Sequence, residues 1–503
     1  MFFKRLLFTL LLVAAVLRAD AQKVFALPDV LCKLAYKNVL ALNFHKADSL
    51  LALEREKYPG NLYVDYIENY RDFLSVFLSE EEDRLERLEV KKDMRLEKMD
   101  LLSDDNPYKK LMMANINLQW AFARTKFEQF FTAALEINRA YRLITGNAER
   151  FPEFVPNSIA LGVMHIMIGL VPDQYGWILS LISMEGTVEQ GKAELYSVLE
   201  KGLSDSRWNY LTPEALFYLG FIELNLSPDI SALNKLKPYL NKIGYENLIM
   251  DYLKISIFMH TGQTDSAIIV LSEAEKIEKS YFPFYFLDYL HAECRIRQLN
   301  PEADLYYGYF LSKFKGRNYI KDAWYKRALL SYLNNNTAGY YGYMDSVLTH
   351  GYTIIDADKN AQKMAEQCNI PPNKTLLKTR FLFDGGYYTQ ALKTLSEIDT
   401  AYLDSDDKLE MFYRYGRIYH RLKNYPEAEY FYNTAIEKRG NSTRYFAANS
   451  ALKLAQIYES EGQYFKAEKY YLLCLDMDFD EYRNSIRGKA KDGLERVEAY
   501  LKK

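Results

Sequence analysis

The six histidines are the first residues to question, because imidazole is a frequent acid–base catalyst and metal ligand. His45, His165, His260, His291, His350 and His420 are scattered, with no H-E-x-x-H pair and no two at helical metal-ligand spacing. No G-x-S-x-G elbow, phosphate-cradling glycine loop or dinucleotide fingerprint is present. Asp384-Gly385-Gly386 has the composition of a binding turn, yet its offset to Tyr388 and Ala391 reads as a turn between two helices. Asp104-Asp105 and Asp406-Asp407 are expected as loop charges. Cys32, Cys294, Cys368 and Cys474 are widely spaced and form no C-x-x-C, so free buried thiols are expected, with no metal and no cofactor. The reading is therefore of a binder rather than an enzyme. A catalytic site assembled from distant helices is the least favoured alternative.

The elements that would position such residues are helical. The chain has 503 residues, 49% apolar and 26% charged, which is the balance of a packed globular protein. Glycine (23) and proline (14) are too few for a sheet protein rich in tight turns. A formal charge of -3 removes the electrostatic footprint of a general nucleic-acid binder. Lys4 and Arg5 precede an apolar run from Leu6 to Leu17, followed by Ala19-Asp20-Ala21. This is the pattern of a cleaved export signal over residues 1–21, with Gln22 opening the mature chain. The run is too short to span a bilayer, and no cysteine follows it closely enough to carry an amino-terminal lipid. A mature chain without a transmembrane helix is expected.

Internal repetition is clearest near the carboxyl end. In FYRYGRIYHRLKNYPEAEYFYNTAIEK, Gly416, Tyr419, Tyr425, Ala428, Tyr432 and Ala435 stand where two antiparallel helices would touch, and Pro426 opens the second helix. The scheme recurs with Ala455, Tyr458, Gly462, Tyr464, Ala467, Tyr471 and Cys474, and earlier with Leu382, Gly386, Tyr388, Ala391, Leu395 and Ile398. Ala391, Ala428 and Ala467 recur at intervals of 37 and 39 residues. This pattern resembles the tetratricopeptide repeat, a helix-turn-helix unit of about 34 residues. The resemblance implies an all-α, right-handed α-solenoid. Weaker copies place Phe258, Gly262, Ala267, Leu271 and Ala274, then Pro301, Ala303 and Tyr307, and near the start Phe44, Ala47 and Leu51. The expected organisation is an amino-terminal helical region (22–205), middle degenerate repeats (206–371), carboxyl-terminal repeats (372–481) and a charged capping helix (482–503). Thr187 with Gln190, and Thr212-Pro213-Glu214, read as helix starts. The charge run from Ser79 to Met99 reads as a solvated helix face.

One block breaks the helical rhythm. Ser158 to Val171 is almost unbroken in apolar or small residues and leads into VPDQYGWILSLISMEG. Its segments are too short to cross a bilayer, so packed core is the first expectation, ahead of a pocket or partner surface. Gly162 and Gly169, two turns apart on one face, would let another helix approach closely. With Phe151-Pro152, the block looks like a segment of large exported repeat proteins of Gram-negative envelopes that lack an assigned activity. That likeness implies a periplasmic or outer-membrane-associated location.

In tetratricopeptide arrays the first helices of successive units line a concave groove. Carried over by position, the groove residues are Arg380; Glu410, Tyr413, Arg417, His420 and Arg421; and Asn449, Lys453 and Gln456. This face is basic in a near-neutral chain and suits an acidic peptide segment or a carboxyl terminus. The carboxylate-clamp subfamily has lysine and asparagine where this sequence has Leu376 and Arg380, and asparagine where it has Arg414, which argues against chaperone-tail recognition. The arginines could instead pair with acids on neighbouring helices. The resulting expectation is a non-enzymatic scaffold or adaptor of the cell envelope that binds another envelope protein. A glycan-binding protein on the same repeats is the alternative.

Overall fold

The computed structural model describes residues 24–171, 184–225, 230–244, 246–277, 281–367 and 371–502. The inferred signal segment 1–21, residues 172–183 of the apolar block, and Cys368 lie outside the described residues. Among those described are twenty-four α-helices and no strand; the one extended contact is a bridge between Phe25 and Asn61. Consecutive helices pack as hairpins. Val30–Leu40 lies on Phe44–Lys57, Pro107–Thr125 on Phe130–Arg150, and Ile320–Leu333 on Thr337–Thr349. Near the carboxyl end Lys374–Asp384 pairs with Tyr388–Ser396, Ser405–Arg421 with Tyr425–Glu437, and Phe446–Ser460 with Tyr464–Asp476. Each of their first helices also touches the first helix of the next unit, as the expected all-α solenoid requires.

Local chemistry sets many helix starts. Asp29 accepts from the Cys32 N–H at 2.9 Å, Asp404 from Asp407 at 2.7 Å and Thr187 from Gln190 at 3.1 Å, each satisfying an orphan donor of the first turn. Thr212 differs from the expectation. It is the first residue of helix Thr212–Asn225 rather than its cap, because a 3-10 turn at Asn209–Leu211 leads directly into it. Asp406 and Asp407 likewise belong to the first turn of Ser405–Arg421, where the helix dipole favours acids, and not to a loop.

Small residues stand where backbones meet. A Cβ on Gly416 would fall 2.5 Å from the Tyr432 ring, and one on Gly162 would fall 2.9 Å from the Gly191 carbonyl. The glycines read from the sequence therefore do set close approaches, in the second case between Asn157–Gly169 and Val188–Ser204. Ala391, Ala428, Ala467, Tyr432 and Tyr471 are completely buried. Fully burying a side chain the size of leucine or phenylalanine contributes on the order of 2 kcal/mol. One apolar core runs from Ala26 to Phe381 and a second from Leu409 to Val497, with a smaller cluster between them that joins Leu376 to Ile418. The last helix, Arg483–Leu501, lays Ile486, Ala490, Gly493 and Val497 on the preceding pair.

The charge run is only partly solvated. Within helix Glu82–Asp100, Lys92 and Arg95 are buried, because Glu136 and Asp72 on neighbouring helices meet them at 2.8 Å in each case. Charge can enter the interior when its partner arrives with it. Cys32, Cys294 and Cys474 are free and buried, as expected, and burial pushes the Cys294 and Cys474 thiols up to about 12.

Candidate binding groove

The nine groove positions fall on three helices that stack side by side: Lys374–Asp384, Ser405–Arg421 and Phe446–Ser460. Arg380, Arg417 and Arg421 project from the first two, four residues apart along the second, and Lys453 from the third. Arg380 and Arg417 act on the same groups, Asp384 and Tyr445, while Lys453 feels Arg417, Arg421 and Lys489 of the last helix. The fold thus gathers a basic face from helices that are distant in sequence.

The other predicted positions play supporting parts. Tyr413 is buried at 1% exposure, and its hydroxyl accepts from Asn449 Nδ2 at 2.8 Å. Gln456 accepts from Lys453 Nζ at 2.9 Å. Glu410 is held by Arg414 of its own helix, whose Nε reaches it at 2.7 Å. His420 lies beside the Tyr432 hydroxyl at 3.4 Å.

Ion pairs at this end of the chain join Arg414 to Glu410, Arg444 and Lys363 to Glu481, Arg483 to Asp478, and Arg496 to Glu459. Among the described residues no carboxylate comes within 4 Å of Arg380, Arg417, Arg421 or Lys453. Acids act on them from farther away: Asp384 on both Arg380 and Arg417, and Glu410 on Arg380. The Arg417 guanidinium lies 4.1 Å from the centre of the Phe383 ring, which fixes its position without cancelling its charge. The electrostatic cost is visible in the titrating neighbours. Burial, with Arg417, Lys489 and Arg421 nearby, lowers Lys453 to about 8. Burial, with Lys453, Arg421 and Arg417 nearby, lowers His420 to about 4.

The groove deepens into a cavity of about 190 Å³ lined by Met259, His260, Gly262, Arg297, Phe383, Asp384, Tyr388, Arg417 and Arg421. Only Arg417 and Arg421 among these were read as site residues from the sequence. Three arginines face one acid there, Asp384. Arg297 is anchored through Nη1 to the carbonyls of Met259 and Asp384, at 3.1 and 3.4 Å. His260 donates from Nδ1 to the Ser256 carbonyl, 2.8 Å away, and burial together with Arg297 lowers its titration.

Two turns close this cavity. Gly262 (φ 70°) and Gly386 (φ 84°) adopt the left-handed conformation that favours glycine, and a Cβ on Gly386 would lie 1.9 Å from the Gly262 carbonyl oxygen. Tyr387 completes the contact, donating to Asp265 at 2.6 Å. Asp384-Gly385-Gly386 is the inter-helix turn expected from the sequence, and it also seals a pocket against a distant unit. Of the aromatic side chains that could serve as platforms for sugar, Trp120 is fully buried and Arg327 lies 5.0 Å from the Trp324 ring centre, whereas Phe131, Tyr402 and Phe465 are exposed.

A search of curated proteins finds no match. A family model described as tetratricopeptide repeat matches residues 407–478, the two helix pairs that carry most of the basic face. This match and the all-helical repeat architecture together support a tetratricopeptide-repeat protein.

Proposed function

We propose that the chain is a protein-interaction scaffold that holds an acidic segment of a partner along the basic groove. The unpaired cluster of Arg380, Arg417, Arg421 and Lys453 carries this reading. Such a surface costs stability when empty and is offset when carboxylates supply charge-assisted hydrogen bonds. Repeats of this kind generally mediate protein binding, which agrees with the match over residues 407–478. The cavity beside Arg297 would receive one acidic group of the bound segment, with the remainder lying across Lys453. Taking the amino-terminal pattern as an export signal, the partner is an envelope protein, and the site of action is periplasmic or outer-membrane associated. The proposed activity is binding rather than catalysis.

In-cell crosslinking and pull-down test this with wild type and an Arg417→Glu, Arg421→Glu double variant of matched stability. Capture of one envelope protein by wild type and its loss in the variant is the expected result. Equal capture by both would remove the basic face from the account. A parallel titration of soluble oligosaccharides, followed by tryptophan fluorescence, would show quenching only if the surface bound glycan instead.

A further inference from the structure

A second cluster lies at the opposite end of the chain and has no part in the groove. Asp29 caps helix Val30–Leu40, Cys32 sits in that helix, and Glu54 comes from the returning helix Phe44–Lys57. Each offers an oxygen or sulfur atom, and these atoms all lie within 4.8 Å of one another. Cys32 and Glu54 are both 0% exposed.

The carboxylate of Glu54 supplies a separate observation. Its Oε1 accepts from Asn61 Nδ2 at 2.7 Å, whereas its Oε2 is fully buried with no donor. What lies against this carboxylate is a second acid, Asp29. The neighbouring cation is turned away, since Arg55 pairs with Glu68 at 3.0 Å and Asp65 at 3.9 Å. Lys57 influences Glu54 but forms no ion pair with it. A buried carboxyl and thiol beside a partly buried acid, with no ion-pair partner, must either keep their protons or bind a cation.

We propose that Asp29, Cys32 and Glu54 bind a divalent metal ion of the zinc class, with a fourth position left for water. The sulfur ligand disfavours magnesium and calcium, whereas a mixed sulfur and carboxylate set suits zinc and its borderline neighbours. Binding converts the Cys32 thiol to a thiolate and releases its proton to solvent, together with any proton the two carboxyls share. Asn61 provides the outer support. Its Nδ2 touches Glu54 and, at 3.7 Å, the Cys32 sulfur, and it also donates to the Leu27 carbonyl at 2.9 Å. The Asn61 Oδ1 accepts from the Leu27 and Tyr63 N–H groups, at 3.1 and 3.2 Å. The metal would fasten the extended start of the described chain to the first two helices and to the start of the third.

The test is a Co²⁺ titration of the metal-stripped, reduced full-length protein. The expected result is a sulfur-to-cobalt charge-transfer band in the near ultraviolet that saturates at one equivalent. It should be displaced by Zn²⁺ and lost in Cys32→Ser. Glu54→Gln should weaken Co²⁺ at least tenfold. Should Cys32→Ser fail to fold, a variant with Cys294, Cys368 and Cys474 each changed to serine leaves Cys32 as the sole thiol. Retention of the band there supports the site, and its loss overturns it. No band in folded wild type also overturns it. So does a Glu54→Gln variant that is more thermostable than wild type without metal and indifferent to Zn²⁺, the behaviour of a carboxyl pair that merely shares a proton.

Discussion

Buried charge is treated in opposite ways in two parts of this molecule. Up to about residue 370 most of it is matched, Glu54 and Glu214 being held by neutral donors instead. Lys92 and Arg124 share Glu136 at 2.8 and 3.0 Å, and Arg95 meets Asp72 at 2.8 Å. Glu80 takes Lys126 at 2.9 Å and the Asn318 N–H at 2.9 Å, tying the approach to helix Ile320–Leu333 back onto the end of helix Tyr63–Ser79. Lys326 lies between Glu293 at 2.9 Å and Asp322 at 3.7 Å. In the carboxyl-terminal repeats Arg380, Arg417, Arg421 and Lys453 have no carboxylate within 4 Å among the described residues. Matched charges join helices in one arrangement; unmatched charges raise the energy of the empty fold and lower it when an anion arrives. The difference separates a structural use of charge from a binding use.

The comparison breaks most sharply at Glu136. Glu136→Gln leaves Lys92 with Asp93 alone and Arg124 with Glu89 alone, and should cost about 3 kcal/mol, read as a shift in the urea midpoint. Gly386→Ala should cost about 1–3 kcal/mol through the left-handed backbone and the Gly262 contact. It should also weaken partner binding although every groove cation remains, which a calorimetric titration would detect. Lys453→Met should act with the opposite sign to Glu136→Gln. Removing a repelled cation should stabilise the fold by up to about 1 kcal/mol while loosening the partner. A destabilised Lys453→Met would show that the groove charge is already compensated.

The smallest effect is on pH dependence. Lys453 titrates near 8 against 10.5 for an ordinary lysine, so lowering the pH from 9 to 7 charges it and should tighten an acidic partner a few-fold. The stability consequence runs the other way. Between about 8 and 10.5 the unfolded chain holds more protons at this site, so its contribution rises with pH across that window. His420 follows the same sign, and its contribution is lost as pH falls from 6.5 through about 4. Lys453→Met should flatten the upper window alone, as measured by thermal melts across the range.

The repeat positions were legible because packing between neighbouring helices is a local demand. Ala391, Ala428 and Ala467 announce close approaches one unit apart, and Gly416 meets Tyr432 within a single hairpin. The groove cations followed from the same register. Arg297 and His260 were not legible, since they reach Arg417 only because the stack brings units more than a hundred residues apart into contact at Gly262 and Gly386. Glu214 makes the same point. Its sequence context reads as a helix start, yet the fold buries it to accept from Tyr36 and, at 2.7 Å, from Tyr70. Asp29, Cys32 and Glu54 have no motif spacing at all, and a helix hairpin alone makes them neighbours.

The amino-acid order by itself determined the helices, their hairpin pairing and the basic character of one face, because side-chain periodicity and caps act within a few dozen residues. The tertiary stack alone decided which of those charges would be neutralised. Pairing depends on what a distant helix brings within 4 Å, and no local pattern encodes that distance.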